Sequence, residues 1–227
     1  MANSINGVIH NFDNVLDNRK RFFKNIDVDI NKTVCMWVLH GNETVEADPK
    51  LCGISMLDYH KAVKVDGLIT NKKGIFLFLL IADCLPIIIY DRVKGAIALV
   101  HAGWKGVDLK IVKEAVYNMI KSYNSDPKNL IVGIGPCVYK ESFAKENPSQ
   151  MCDLGWKGYI KLIRDNIYSI DLVGFTKKQL LECGVLQENI FESGIDTAKN
   201  NNFFSHIRDG KLPIVRQGRF ACVVGLK

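Results

Sequence analysis

Three residues in this 227-residue chain have the chemistry of metal ligands: His40, Cys84 and His101. Each closes or adjoins an apolar stretch and is flanked by turn residues, in His40-Gly41, Asp83-Cys84 and His101-Ala102-Gly103. Side chains at the ends of neighbouring strands converge on rigid supports. Two histidines and a thiolate suit zinc, which takes four ligands and, with three from protein, leaves one position for water. Copper accepts the same donors. The separations (84 − 40 = 44 and 101 − 84 = 17) match no short zinc pattern, and a lone His or Cys at a strand end is more often packing, so spacing nominates the site without establishing it. The same residues also compose a metal-free alternative, with Cys84 as nucleophile and His101 as base. Asp83, beside the thiol, is a candidate for orientation or proton transfer.

A second element follows His101. Gly103 and Gly106 bracket Trp104 and Lys105 just where a helical pattern begins. Helix starts carry unpaired N–H groups that attract phosphate, and glycine lets backbone approach a ligand closely. Trp104 could stack on a flat base; a plain strand–helix turn with Trp104 in the core fits equally well. Near the C-terminus, Ser205, Arg208 and Arg219 lie in a Gly-containing, non-helical stretch, where arginines can hold phosphate bidentately. Arg216 reads as solvated loop charge. His10, His60 and His206 are spare imidazoles, and Cys35, Cys52, Cys137, Cys152, Cys183 and Cys222 read as structural or incidental thiols.

These residues must be positioned by one domain spanning 1–227, since no repeat, low-complexity tract or linker divides the chain. The expected strands are 7–12, 33–40, 67–70, 75–82, 85–90, 96–101, 130–134 and 217–226. The central ones are apolar enough to be covered on both faces. Helices are expected around 16–25, over 107–120, and at 151–166 and 175–183, with 42–65 irregular. Strands and helices interleave without strict alternation, which predicts a mixed-sheet α/β sandwich; no GxGxxG signals a dinucleotide fold. The net charge of +6 is too small and too evenly spread for a nucleic-acid binder. The seven cysteines form no CxxC pair, the N-terminus lacks the pattern of a signal peptide, and the apolar run from Gly74 to Tyr90 is broken by Asp83 and Pro86. These features lead to the expectation of a cytoplasmic protein with no membrane partner, monomeric or a small homo-oligomer.

Leu39-His40-Gly41, Asp66-Gly67-Leu68-Ile69-Thr70, Ala82-Asp83-Cys84-Leu85-Pro86 and His101-Ala102-Gly103-Trp104-Lys105-Gly106 together resemble the YfiH/YlmD family. That family is also called the laccase-domain, multicopper polyphenol oxidoreductase or peptidoglycan editing factor family. Gly135-Pro136, Asp171-Leu172, Gln179-Leu180, Phe203-Phe204-Ser205, Arg208-Asp209-Gly210 and Gly218-Arg219 extend the match over nearly the whole chain. The resemblance implies an α/β sandwich shared with a bacterial deamidating toxin and one zinc held by His40, Cys84 and His101. It also implies phosphorolysis of adenosine, inosine and methylthioadenosine to free base and ribose 1-phosphate, with adenosine deaminase activity. Small-molecule nucleoside and phosphate are the implied partners. Hydrolysis of peptidoglycan precursors is the alternative, and a non-catalytic nucleoside- or metal-binding protein a further one. Multicopper oxidation is disfavoured, because it needs many more than the five histidines present. The chain departs from the family pattern at Asp13-Asn14-Val15, Phe143-Ala144, Asp196-Thr197 and Ile207-Arg208, all around the rim of the expected site.

Overall fold

The computed structural model describes residues 4–5, 8–9, 12–213 and 216–227. In chain order the elements are β1 (Ser4–Ile5), β2 (Val8–Ile9), α1 (Phe12–Asn25), β3 (Thr33–Cys35), β4 (Thr44–Glu46), α2 (Ile54–Leu57), β5 (Gly67–Thr70), β6 (Phe76–Ile81), β7 (Leu85–Asp91), β8 (Ala96–Ala102), α3 (Trp104–Asp108), α4 (Ile111–Tyr123), β9 (Leu130–Ile134), β10 (Ala144–Glu146), β11 (Ile160–Arg164), β12 (Ile167–Ile170), α5 (Leu172–Glu182), β13 (Ile190–Glu192), α6 (His206–Asp209) and β14 (Phe220–Gly225). A six-stranded sheet runs β13-β9-β7-β8-β5-β4, and a three-stranded sheet runs β14-β6-β3. Both are mixed: β4–β5, β9–β13 and β3–β6 are parallel and their other pairs antiparallel. The chain is the α/β sandwich that the apolar strands predict.

The layering follows from side-chain alternation along strands. On β7, Ile87 and Ile89 point to a core shared with α4 and α5, while Ile88 points to the other sheet. Between the sheets lie Leu68, Ile97 and Leu99 from one side and Val34, Leu77, Leu79 and Ile81 from the other. The outer face of the small sheet packs Phe78 and Cys35 against Phe23 of α1 and Met56 of α2. The order is therefore helices, small sheet, large sheet, helices. Both faces of β6, β7 and β8 are covered, which explains why these segments read as continuous apolar runs.

Several expectations change in detail. The predicted helix over 107–120 is two helices, because Lys110 adopts left-handed backbone (φ 64°) and ends the α3 turn before α4 starts. α4 then buries Ile111, Val112, Ala115, Val116 and Met119 on one face. The predicted helix over 151–166 is instead two 3₁₀ turns, Ser149–Cys152 and Leu154–Trp156, followed by the β11–β12 hairpin. Gly158 (φ 89°) and Asp165 (φ 43°) break any helix there, and Leu154, Leu162 and Ile163, whose spacing mimicked a buried face, are exposed. The strand expected at 33–40 stops at Cys35; Met36 makes only an isolated bridge to Val63. The irregular stretch 42–65 contains β4 and α2. Of the strand expected at 7–12, residues 7, 10 and 11 lie outside the described residues, and α1 has begun by residue 12. Among the described residues no helix is long and apolar enough to cross a membrane.

Candidate metal centre

Sheet register brings two of the three candidate ligands together. β7 and β8 are antiparallel with Leu85 opposite Ala102 and Pro86 opposite His101, so the turn carrying Cys84 sits beside the end of β8. His40 arrives from the loop after β3, on left-handed backbone (φ 59°). One ligand atom from each of His40, Cys84 and His101 lies within 4.8 Å of the others, the one such group among the described residues. The two imidazole rings stand edge to face, with centroids 4.9 Å apart. His40 is exposed, Cys84 partly buried and His101 2% exposed, so the group is reached by solvent from the His40 side.

The residues fit a zinc ion. Zinc bonds of about 2.0–2.3 Å span a donor set of this size with small side-chain rotations. Gly103 supplies the space: a Cβ there would lie 3.0 Å from Cys84 Sγ, 3.3 Å from His40 Cδ2 and 3.5 Å from His101 Cε1. The glycine named for ligand approach thus borders the metal-ligand group itself.

Asp66 holds the group together, and the sequence had marked it only as part of a motif. β5 and β8 pair Gly67 with Val100, which puts Asp66 on the next rung, against His101. The carboxylate is 1% exposed and accepts from His101 Nδ1 (2.8 Å), His40 N (2.9 Å), Gly41 N (2.7 Å) and Leu39 N (3.2 Å). It therefore fixes the backbone bearing one ligand and the ring orientation of another, leaving His101 Nε2 to face Cys84 or a bound ion. The signal was available: an acid immediately before a fully buried strand needs partners of this kind.

Asp83 is placed differently. Its carboxylate, on a residue 6% exposed, accepts from Thr197 Oγ1 and from Ile207 N, both at 2.7 Å. Its carbonyl accepts from Val138 N at 2.9 Å. Asp83 ties the Cys84 turn to the 196–209 segment, which forms a wall. Arg208, predicted as a phosphate ligand, is exposed and braces that wall. Nε donates to Asp209, Nη1 to the carbonyls of Thr197 and Asn200, and Nη2 to Phe203 O and Asp209. Every guanidinium nitrogen of Arg208 thus has a partner within the protein. Ser205 is likewise engaged, its Oγ accepting from Arg208 N at 3.1 Å. Arg219 and Lys105 are exposed. Trp104 is partly buried, tilted against Trp156 and edge-on to Phe143 at centroid distances of 5.2 and 6.1 Å, with Lys145 Nζ 6.0 Å over its ring. Most of its ring surface is thus taken by the core. His60 stacks on Tyr59 (3.8 Å) and His206 faces Gln217; neither joins the group, and His10 lies outside the described residues.

The electrostatics follow from burial and contact. Burial pushes the Cys84 thiol up, but hydrogen bonds and charge from His101 and His40 reverse this and bring it down to about 6. Burial pushes the His101 imidazole down, and its bonds to Asp66 and Cys84 raise it to about 9. Metal-free protein therefore carries a thiolate–imidazolium pair at neutral pH. Alkylation of metal-free Cys84 by iodoacetamide is expected to persist on acidification to an apparent midpoint of about 6, and bound zinc is expected to block it. A midpoint near the ordinary thiol value of about 8.5 would contradict the geometry.

Comparison with known proteins agrees with this picture. The family model "Multi-copper polyphenol oxidoreductase laccase" matches residues 2–227. The chain is 29% identical to "Purine nucleoside phosphorylase YlmD" of Bacillus subtilis, over 99% of this chain and 82% of that protein. It is 32% identical to "Purine nucleoside phosphorylase Cj1217c" of Campylobacter jejuni, over 88% and 79% of the two chains. The crystal structure of YlmD from Geobacillus stearothermophilus superposes with a TM-score of 0.88 at 26% identity, covering 96% of this chain and 82% of that one. Motifs, sheet order and a full-length match converge: the chain belongs to the multi-copper polyphenol oxidoreductase laccase family, among its YfiH and YlmD proteins.

Proposed function

We propose that this chain is a zinc-dependent purine nucleoside phosphorylase, converting adenosine, inosine and methylthioadenosine to free base and sugar 1-phosphate, with adenosine deamination as a side activity. The observation that carries the reading is the convergent His40–Cys84–His101 group, open to solvent on the His40 side. The names of the relatives support the nucleoside and phosphate as substrates. The three ligands would hold the ion, which when bound supplies a Lewis acid able to polarise an electrophile and acidify water.

The chain's own residues have narrower tasks. Asp66 keeps His101 in one ring orientation and His40 on its turn. The 196–209 wall stands beside the Cys84 turn, and Lys105, exposed two residues after Gly103, is the nearest lysine in sequence for attracting phosphate. Arg219, also exposed, is the second cation of that kind. Phosphorolysis moves the glycosidic bond from the base nitrogen to a phosphate oxygen, so the departing base must gain a proton at the site.

A second reading is favoured by one observation: Cys84, His101 and Asp66 stand in the order thiol, imidazole, carboxylate, the arrangement of a Cys–His hydrolase. One experiment separates the two. Purified protein is incubated with each nucleoside, with and without phosphate, before and after chelation. The expected result is release of base that needs phosphate, disappears on chelation and returns with zinc. Phosphate-independent turnover of a peptidoglycan precursor by chelated protein, lost on thiol alkylation, would establish the hydrolase instead. We also propose that residues 1–227 form one domain working in the cytoplasm as a monomer or small homo-oligomer, without nucleic-acid or membrane partners.

A further inference from the structure

We infer that Asp83 is a positioning residue whose carboxylate fastens the 196–209 wall to the metal-ligand turn, and that it acts as a pair of acceptors and not as a proton-transfer group. The inference rests on the proposed zinc-dependent activity for its zinc and turnover readouts and not for its hydrogen-exchange readout. Four observations carry it. Both carboxylate oxygens are occupied by protein donors, Thr197 Oγ1 and Ile207 N, each at 2.7 Å. Those donors lie 114 and 124 residues away in sequence, yet flank the same side chain. Thr197 is fully buried and Asp83 nearly so, which leaves the pair little access to solvent or substrate. Asp83 adopts left-handed backbone (φ 76°), which aims its side chain away from the extended path of β6 and β7.

The wall is a single braced unit. Thr197 N donates to Cys137 O, and Val138 N donates to Asp83 O, so the turn, the 137–138 segment after β9 and the wall are stitched together. Arg208 locks Thr197, Asn200 and Phe203 together from the other side. Loss of the Asp83 carboxylate would therefore release the wall as a body, while His40, Cys84 and His101, held by Asp66 and the sheet, would stay in place. A wall that stands beside the ligand-bearing turn and donates no ligand would govern how substrate is held, so its release would raise KM more than it lowers kcat.

The chemistry of the two donors makes the inference testable by one atom. In Asp83→Asn the side-chain oxygen still accepts from Ile207 N. The new NH₂ can donate to Thr197 Oγ1, because a hydroxyl serves as donor or acceptor. Asparagine also tolerates left-handed backbone about as well as aspartate. Asp83→Gly keeps the backbone conformation and removes both bonds, and Thr197→Val removes one at nearly constant volume.

The experiment measures zinc per chain, amide hydrogen exchange over 196–209, and phosphate-dependent turnover of inosine. Asp83→Asn is expected to keep about one zinc, wild-type protection and kcat/KM within about threefold. Asp83→Gly is expected to keep zinc but lose protection across 196–209 at least tenfold, with KM raised at least tenfold and kcat changed less. Thr197→Val should fall between, and adding it to Asp83→Gly should cost nothing further. Two results overturn the inference. One is Asp83→Asn losing kcat as severely as Asp83→Gly while protection stays intact, which would make the carboxylate a chemical participant. The other is unchanged protection in both Asp83→Gly and Thr197→Val. Hydrogen exchange answers the question even if inosine proves not to be a substrate, so failure of the clamp and failure of the proposed activity remain distinguishable.

Discussion

Asp66→Ala is expected to lower metal affinity by about 10–100-fold, the usual range for losing a group that orients a metal ligand, and to destabilise the protein by about 3–5 kcal/mol, the range for breaking one side of a buried ion pair. The reason is concentration of tasks. One carboxylate takes four hydrogen bonds, three from the backbone around His40 and one from His101. Its removal frees His101 to present the wrong nitrogen and lets the His40 turn unwind. The effect has a pH signature. Burial alone would raise the Asp66 carboxyl, but hydrogen bonds from His101, Gly41 and His40 hold it below the usual carboxylate range. A depressed folded pKa gives stabilisation that is present above the unfolded value of about 3.9 and is lost as pH falls through the folded value. Denaturant titrations of wild type should show that loss below about pH 4, and Asp66→Ala should lack this contribution. Equal acid sensitivity in both proteins would mean the carboxylate is not engaged in solution.

Gly103→Val is expected to reduce metal affinity more than tenfold, comparable to an orienting-group loss, while leaving the melting temperature within a few degrees of wild type. Gly103 has φ −78° and ψ 174°, ordinary extended backbone, so a larger residue suffers no conformational strain. The penalty is local: the first added carbon already lies 3.0 Å from Cys84 Sγ, and the branches of valine extend further toward the ligands. Gly103→Ala should be milder, because exposed His40 can give way. Competition for zinc against a chromophoric chelator, paired with thermal melts, checks both points. A large drop in melting temperature with normal zinc affinity would show that Gly103 serves packing and not the ion.

What the sequence made legible depended on how its residues are covered. β6, β7, β8 and β9 appear within a residue or two of expectation, because strands buried on both faces leave unbroken apolar text ended by Asp91, Gly95 or Gly135. Cys84 and His101 were readable because they stand at such endings, whereas His40 lies in the loop five residues past β3. The region 151–166 was misread because Leu154, Leu162 and Ile163 face solvent and Trp156 alone of its apolar residues is fully buried, so the helical spacing reported no continuous core face. The α3–α4 break rests on Lys110, a residue with no special claim to left-handed backbone. Asp66 and Arg208 show the same limit from the polar side. Residue type says that a carboxylate or guanidinium will find partners, but the partners of Asp66 come from 25–35 residues away and those of Arg208 from loop carbonyls that no spacing rule encodes. Both are tertiary choices.

The order of the wall and the ligands along the chain has a consequence for biosynthesis. The last ligand is residue 101 and the wall begins at residue 196, so 95 residues (196 − 101) separate them. A ribosome adds about 5–20 residues per second, so a growing chain holds all three ligands for roughly 5–20 s before the Asp83 clamp has anything to grip. During that interval the nascent thiolate can capture an ion, or be oxidised, without the enclosure it has in the finished protein. Metal loading before closure would thus be open to the emerging polypeptide, and the 196–209 segment, translated later, would close beside ligands already made.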